Sequence, residues 1–445
     1  MKKIVLVALL ILSFTVKSQD TIRVKMTPNE GYKWLMLYKI NGAKQQYISK
    51  ATIENNEFKL PVSKGNATGM YRLYYDMENG GYFDFIYNQE SISVSFNPNL
   101  PEQTAEFKKS EENKLLQSYF NSILKKQAKI DSVQIAYFDA VDKKPLQKMY
   151  LDGLKELNSM QKYFENKTEG KFANYIIKAT KKYNNPKIVE TVESYLKTLK
   201  THFFDTIDFS SKVLLNSSIF VDKVIEYVFY INSSEDRKTE KKLRERSIND
   251  AMSIIGENNE VKAEILSSLI YAYAGQEELG AVDFLKNGYY NQLPEELKDA
   301  KFISNIDRML SVALGRVAPE ITWAKDGKTK KLSEHEGVEN YIITFWSTTC
   351  SHCLEEIPDL YKVTKDNENL KVIAVALEVD KFGFEYHTEK MDKWIHILGL
   401  NKWKNEIAKR YEVNVTPSYF VLDKDKKIIA KPEELAELLE LLSKE

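Results

Sequence analysis

Between residues 21 and 96, apolar and polar side chains alternate with a period of two. Ile22, Val24 and Met26 alternate with polar neighbours, and Leu35 and Leu37 repeat the pattern. The same rhythm runs through 58–62, 70–75, 82–87 and 92–96. Successive side chains of a strand point to opposite faces, so this spacing predicts half-buried strands. Asn41-Gly42, Gly80-Gly81 and Asn88-Gln89 punctuate the runs and supply turns for an antiparallel β-sandwich. We place this domain at residues 19–104.

From residue 110 the period lengthens toward 3.6. Leu115, Leu116, Tyr119, Phe120 and Ile123 share one helical face. Similar stripes run through 146–164, 172–183, 188–199, 221–231, 248–255 and 261–273. Breaks fall at Asn184-Asn185-Pro186, Asn216-Ser217-Ser218 and Asn232-Ser233-Ser234. Residues 105–315 read as an all-α region without a repeat of constant period. In the last stretch, 316–445, the elements alternate. A buried strand at 341–346 precedes a helix at 350–365 that contains Pro358, and a strand at 370–377 follows. Helices are expected at 391–398 and 403–411, a hairpin at 418–423 and 427–430, and an amphipathic helix at 432–443. Such an order predicts a mixed sheet flanked by helices. The expected fold class is multi-domain α+β: N-terminal antiparallel β-sandwich, central all-α region, C-terminal mixed sheet with helices.

Composition fits several folded domains. The chain has 445 residues, and its 43% hydrophobic content is enough for ordinary cores, which excludes wholesale disorder. Lys+Arg and Asp+Glu stand at 64 each, so there is no electrostatic footprint for nucleic acid. Met1-Lys2-Lys3, an apolar run at 4–16 and then Lys17-Ser18-Gln19 predict a signal peptide over 1–18, cleaved after Ser18. The run is shorter than the roughly 20 residues of a comfortable membrane span, although an uncleaved anchor is the alternative. Export to the periplasm of a Gram-negative bacterium is the expectation.

Export changes how the cysteines are read, because exported cysteines tend to be paired. The chain has two, Cys350 and Cys353, separated by Ser351 and His352. They follow a buried strand and open a helix. Residues three apart on a first helical turn are neighbours, and a disulfide tolerates that separation, so the pair can open and close with little backbone movement. Outward-pointing amides and the helix dipole favour a thiolate at Cys350, with His352 as an adjacent possible cation. Cys353, deeper in the helix, is the candidate resolving thiol. Zinc would need four ligands, and there is no second CxxC or paired-histidine motif. Haem attachment needs His directly after the second cysteine, where Leu354 stands. No metal and no cofactor are expected. A static structural disulfide is the competing reading, but so short a loop stabilises little.

The segment from Trp346 through Cys350-Ser351-His352-Cys353 to Glu355-Glu356-Ile357-Pro358 resembles the active-site stretch of the thioredoxin superfamily, in its TlpA/ResA-like exported branch. Val317-Ala318-Pro319-Glu320 is similar to that branch's entry segment. The stretch Tyr411-Glu412-Val413-Asn414-Val415-Thr416-Pro417-Ser418-Tyr419-Phe420-Val421-Leu422-Asp423 resembles its cis-proline strand. The upstream segments are more loosely similar to N-terminal extensions carried by such proteins in Bacteroidota. The resemblance implies a C-terminal thioredoxin fold and a thiol–disulfide oxidoreductase. Cys350 would be the nucleophile, Cys353 the resolver and Pro417 the cis-proline. The Thr416 backbone would pair with substrate, and Trp346 would line the site. Glu356 matches an acidic residue that tunes the cysteines, or is a solvated first-turn glutamate. His352 sits where oxidising members of the superfamily also carry histidine.

Two departures matter. Thr344 stands where thioredoxin has a buried Asp, and Ser-His replaces Gly-Pro between the cysteines. The Ser-His pair pulls toward an oxidant while the flanking segments resemble reductants, so direction stays open with a reductase favoured. Implied partners are a disulfide or dithiol protein substrate and an upstream membrane or periplasmic electron donor, with homo-oligomerisation possible and no nucleic acid. The alternative is an envelope binding or chaperone-like protein that uses its N-terminal domains, with the thioredoxin fold as scaffold.

Overall fold

The computed structural model describes residues 19–443 apart from positions 30 and 326. The expected signal peptide lies outside the described residues. The chain divides into two compact units, one ending at Ser268 and the other beginning at Leu269, and each is taken by itself.

The first unit opens with eight strands: β1 (Gln19–Met26), β2 (Trp34–Asn41), β3 (Lys44–Thr52), β4 (Phe58–Ser63), β5 (Gly69–Asp76), β6 (Gly81–Tyr87), β7 (Ile92–Phe96) and β8 (Glu106–Lys109). They form two four-stranded sheets in the orders β4-β1-β7-β8 and β3-β2-β5-β6. Ile22, Val24, Leu60 and Val94 of one sheet share a core with Leu35, Leu37, Leu73 and Phe85 of the other, which makes a sandwich. It is not wholly antiparallel, because β1 and β7 run parallel, with Val24 beside Val94. The polar strand β3 escaped the periodic reading. It is a sheet edge whose inward face buries only Ser49 fully, so apolar alternation was never required of it.

Helices follow. Glu111–Asp139 and Lys144–Lys167 form a hairpin around Ile130, Tyr137, Tyr150 and Leu157. Buried Asn113 ties the first of these helices to the sandwich: its Oδ1 accepts from the Ile86 amide at 2.8 Å, and its Nδ2 donates to the Ile86 carbonyl at 2.7 Å. The side chain thus takes the place of a missing neighbouring strand at β6.

In the second unit, β9 (Thr322–Lys325) and β10 (Lys328–Lys331) form a hairpin. The main sheet comprises β11 (Asn340–Trp346), β12 (Leu370–Glu378), β13 (Ile395–Leu400), β14 (Ser418–Asp423) and β15 (Ile428–Ala430), in the order β13-β12-β11-β14-β15. β11, β12 and β13 are parallel, while β14 runs antiparallel to β11 and to β15. Both faces are covered, so the central strands are apolar runs rather than alternations. Ile357 and Leu360 of helix Ser351–Thr364 pack on one face with Leu438 of helix Leu435–Ser443. Tyr411, Ala408 and Trp323 cover the other.

Some elements differ from expectation. β8 lies in the stretch expected to be all-α, yet it pairs with β7 and extends the sandwich beyond residue 104. The segment 391–398 is not a helix: β13 occupies Ile395–Leu400 alongside β12. Gly399 decides this locally, since a Cβ there would lie 3.1 Å from Leu377 Cδ2 and 3.2 Å from the Ala376 carbonyl oxygen. Close approach of two strands outweighs a helical pattern too short to be distinctive.

Replacing Asn113 by Ala strands a buried amide and a buried carbonyl at Ile86. We expect a loss of about 2–4 kcal/mol in the first unit's stability, measured by urea unfolding. A change within experimental error would show that water replaces the side chain.

Candidate active site

Strand β11 ends at Trp346, the chain crosses Ser347-Thr348-Thr349, and helix Ser351–Thr364 begins. Cys350 occupies the N-cap, the position usually held by Ser, Thr, Asp or Asn. Its Sγ accepts from the Cys353 amide at 3.2 Å and lies 3.4 Å from the Thr416 carbonyl oxygen. Cys353 is fully buried, one turn along, and is bonded to Cys350 across a Cα separation of 5.2 Å.

The two thiols of the reduced pair differ sharply. Burial pushes Cys350 up, but hydrogen bonds from Cys353, the Thr416 side chain and the His352 amide outweigh it and hold the thiol below its ordinary value. Cys353 is pushed up to about 12, chiefly by burial and then by its hydrogen bond with Cys350. One sulfur is therefore built to be a thiolate and the other to stay protonated until called on.

The remaining expected residues gather around this pair. Thr416–Pro417 is a cis peptide immediately before β14. Glu356 is half-buried, and its Oε2 accepts from the Tyr419 hydroxyl at 2.7 Å. Burial and the Glu356 carboxylate together push the Tyr419 phenol far up, so it remains a neutral donor. His352 is exposed on the first turn. Trp346 is buried in the same apolar cluster as Cys353, so it supports the pair from the core side.

Two residues were missed from sequence. Tyr419 stood inside the quoted proline motif, but its reach to Glu356 depends on the pairing of β14 with β11. Glu378, almost wholly buried at the carboxyl end of β12, accepts from the Thr348 amide at 2.6 Å and from the Ser347 hydroxyl at 3.3 Å. Ser347 in turn accepts the Cys350 amide on its carbonyl at 3.2 Å. Glu378 thus anchors the turn that leads into Cys350. An acidic residue closing an apolar parallel strand was the available signal, since such carboxyl ends are where sites form.

A family model described as thioredoxin-like matches residues 338–428. Residues 338–428 thus carry a thioredoxin-like domain. Over 122 residues it is 25% identical to thiol-disulfide oxidoreductase ResA of Geobacillus thermodenitrificans, covering 26% of this chain and 68% of that protein. A thioredoxin-like protein of Haemophilus influenzae is 30% identical over 101 residues, or 22% of this chain and 58% of its own length. Among solved structures, the thioredoxin domain of a thiol-disulfide oxidoreductase from Bacteroides vulgatus is 26% identical with a TM-score of 0.26, covering 30% of this chain and 98% of that one. A thioredoxin-like protein from Bacteroides caccae is 14% identical, with a TM-score of 0.30 over 59% of this chain and 97% of its own. The matched ResA relatives are named thiol-disulfide oxidoreductases, and the domain that resembles them holds the Cys350–Cys353 pair, which supports an oxidoreductase.

Two outcomes follow from the geometry. Iodoacetamide alkylation of the reduced protein should show Cys350 reacting with a midpoint below the usual thiol value of about 8.5. Cys353 should stay inert until the pH approaches about 12, because only the thiolate reacts. A common midpoint for both would contradict the asymmetry. Glu378→Ala should slow thiol–disulfide exchange about tenfold by loosening the turn, whereas Glu378→Gln, which keeps an oxygen for the Thr348 amide, should retain most of the rate. Equal loss in both variants would mean that charge rather than anchoring matters.

Proposed function

We propose that this chain is an exported thiol–disulfide oxidoreductase that reduces disulfides in protein substrates of the periplasm. The observation carrying this reading is the asymmetry of the pair: a half-exposed, low-pKa Cys350 beside a buried, high-pKa Cys353. The apolar run at 4–16 supports export.

The Cys350 thiolate attacks one sulfur of a substrate disulfide, displacing the other as a thiolate and forming a mixed disulfide. Cys353 then gives its proton to the Glu356 carboxylate and attacks Cys350 Sγ. The second substrate sulfur leaves as a thiolate, and the Cys350–Cys353 bond forms. Two electrons pass from the pair to the substrate, whose two thiolates each take up a proton. Tyr419 holds Glu356 in place for the proton transfer. The Thr416 backbone, beside Pro417, aligns the substrate chain, and exposed His352 borders the entrance. An upstream membrane or periplasmic dithiol restores the reduced pair.

Cys353→Ser should trap substrate on Cys350 as a mixed disulfide that dithiothreitol releases. Recovery of no trapped partner from cells would defeat the exchange reading. The direction is tested by the reduction potential of the pair, expected near the thioredoxin value of about −270 mV rather than the about −120 mV of strong oxidants.

A further inference from the structure

The helical part of the first unit holds a cavity that the exchange chemistry does not use. Helix Val192–Thr201 borders it with Lys200, and helix Arg237–Ile255 borders it with Arg246, Ser247 and Asp250. Between these helices the chain leaves helix Ile219–Glu226 through a π-helical turn, Tyr227–Ile231, and reaches Asn232 at the start of the Asn-Ser-Ser break. Turns of this kind are uncommon and recur at functional sites. The cavity measures about 430 Å3, within the range of small-molecule sites.

Its floor is polar and buried. Tyr227, Asn232 and Ser247 line it and are 6%, 5% and 2% exposed. Contacts with Phe203 and Phe204, at centroid distances of 5.2 and 4.8 Å, fix the Tyr227 ring. Burial, and then the Asp250 carboxylate, push the Tyr227 phenol up, so it stays a neutral donor. Asn232 Nδ2 donates to the Tyr227 carbonyl at 3.0 Å, and the Ser247 hydroxyl donates to the Leu243 carbonyl at 2.8 Å. Both bonds use donors, which leaves the two side-chain oxygens to accept from an occupant of the cavity. The rim is charged. On the surrounding helices Lys223 pairs with Glu226 and Arg244 with Glu240, each at 2.8 Å. Among the described residues no ion pair engages Lys200, Arg246 or Asp250. Two cations and one carboxylate therefore line one opening without partners of their own.

We propose that this cavity binds a short acidic peptide that carries one free ammonium and two carboxylates. Charge complementarity argues for this occupant: the carboxylates meet Lys200 and Arg246, and the ammonium meets Asp250. Charge-assisted hydrogen bonds of this kind are the strong ones. A bare anion such as phosphate would lie against Asp250, which repels it. The floor matches a peptide bond, since the Tyr227 hydroxyl donates to its carbonyl and the Asn232 and Ser247 oxygens accept its N–H. A single amino acid has no such bond to offer.

The test is calorimetric titration of the full chain with alanyl-glutamate, which has one ammonium and two carboxylates. Saturable binding is expected. N-acetyl-alanyl-glutamate, which lacks the ammonium, and alanyl-glutamine, which lacks one carboxylate, should each bind about tenfold more weakly. Arg246→Ala should weaken alanyl-glutamate binding by about the same factor. Asp250→Asn should bring the preference for the free over the acetylated peptide from about tenfold to about one, a change that a merely structural role would not produce. Arg246 and Asp250 are exposed, so neither substitution disturbs the core. Three results overturn the proposal: no saturable binding by the wild type, an affinity unchanged in Arg246→Ala, or a preference unchanged in Asp250→Asn. Inorganic phosphate binding as tightly as the dipeptide would mark an adventitious anion site and overturn it as well. None of these readouts involves thiol–disulfide exchange, so the proposal stands or falls apart from that activity.

Discussion

The site depends on one hydrogen bond, in which a sulfur does the work of a helix cap. The first amides of a helix have no partner within it, and Cys350 Sγ takes the one from Cys353. Negative charge is favoured at that end, so the cap that completes the helix is also the group most inclined to lose its proton. The requirement to begin the helix and the tendency to form a thiolate coincide in a single atom. Capping by an uncharged group of this kind is worth on the order of 1 kcal/mol, and a thiolate gains further from the dipole.

Around that bond two buried polar side chains act as supports. Glu378 holds the turn before Cys350, and Tyr419 holds the Glu356 carboxylate after it. Each is nearly inaccessible, so each would be costly if left without a partner. They sit at the carboxyl end of β12 and near the start of β14, on either side of β11. The order of the sheet converts two residues distant in sequence into supports for one site.

What could be read from sequence follows the same division. Cys350, Cys353, Glu356, Thr416 and Pro417 lie in short contiguous stretches, where spacing carries the geometry. Glu378 and Tyr419 act across strands, and no local pattern reports register between strands. In the fold, sandwich strands with one dry face announced themselves by alternation, whereas edge strand β3 had no such obligation. The long helix Glu111–Asp139 was visible only over its first apolar stripe, because its later turns mix buried Ile130, Val133 and Tyr137 with polar Gln134. Segment 391–398 went astray because a six-residue strand and about two helical turns look alike until a neighbour is placed beside them.

The complete burial of Cys353 has a bearing on soft metal ions. Thiophilic cations such as cadmium or mercury are held firmly when two sulfurs can grip them at once. Here one sulfur lies beneath the other, inside an apolar cluster with Trp346 and Tyr419. An ion arriving from solvent meets a single donor, and gripping with both would mean opening the core. The same arrangement that delays the second thiol until it is needed also makes the pair a poor chelator.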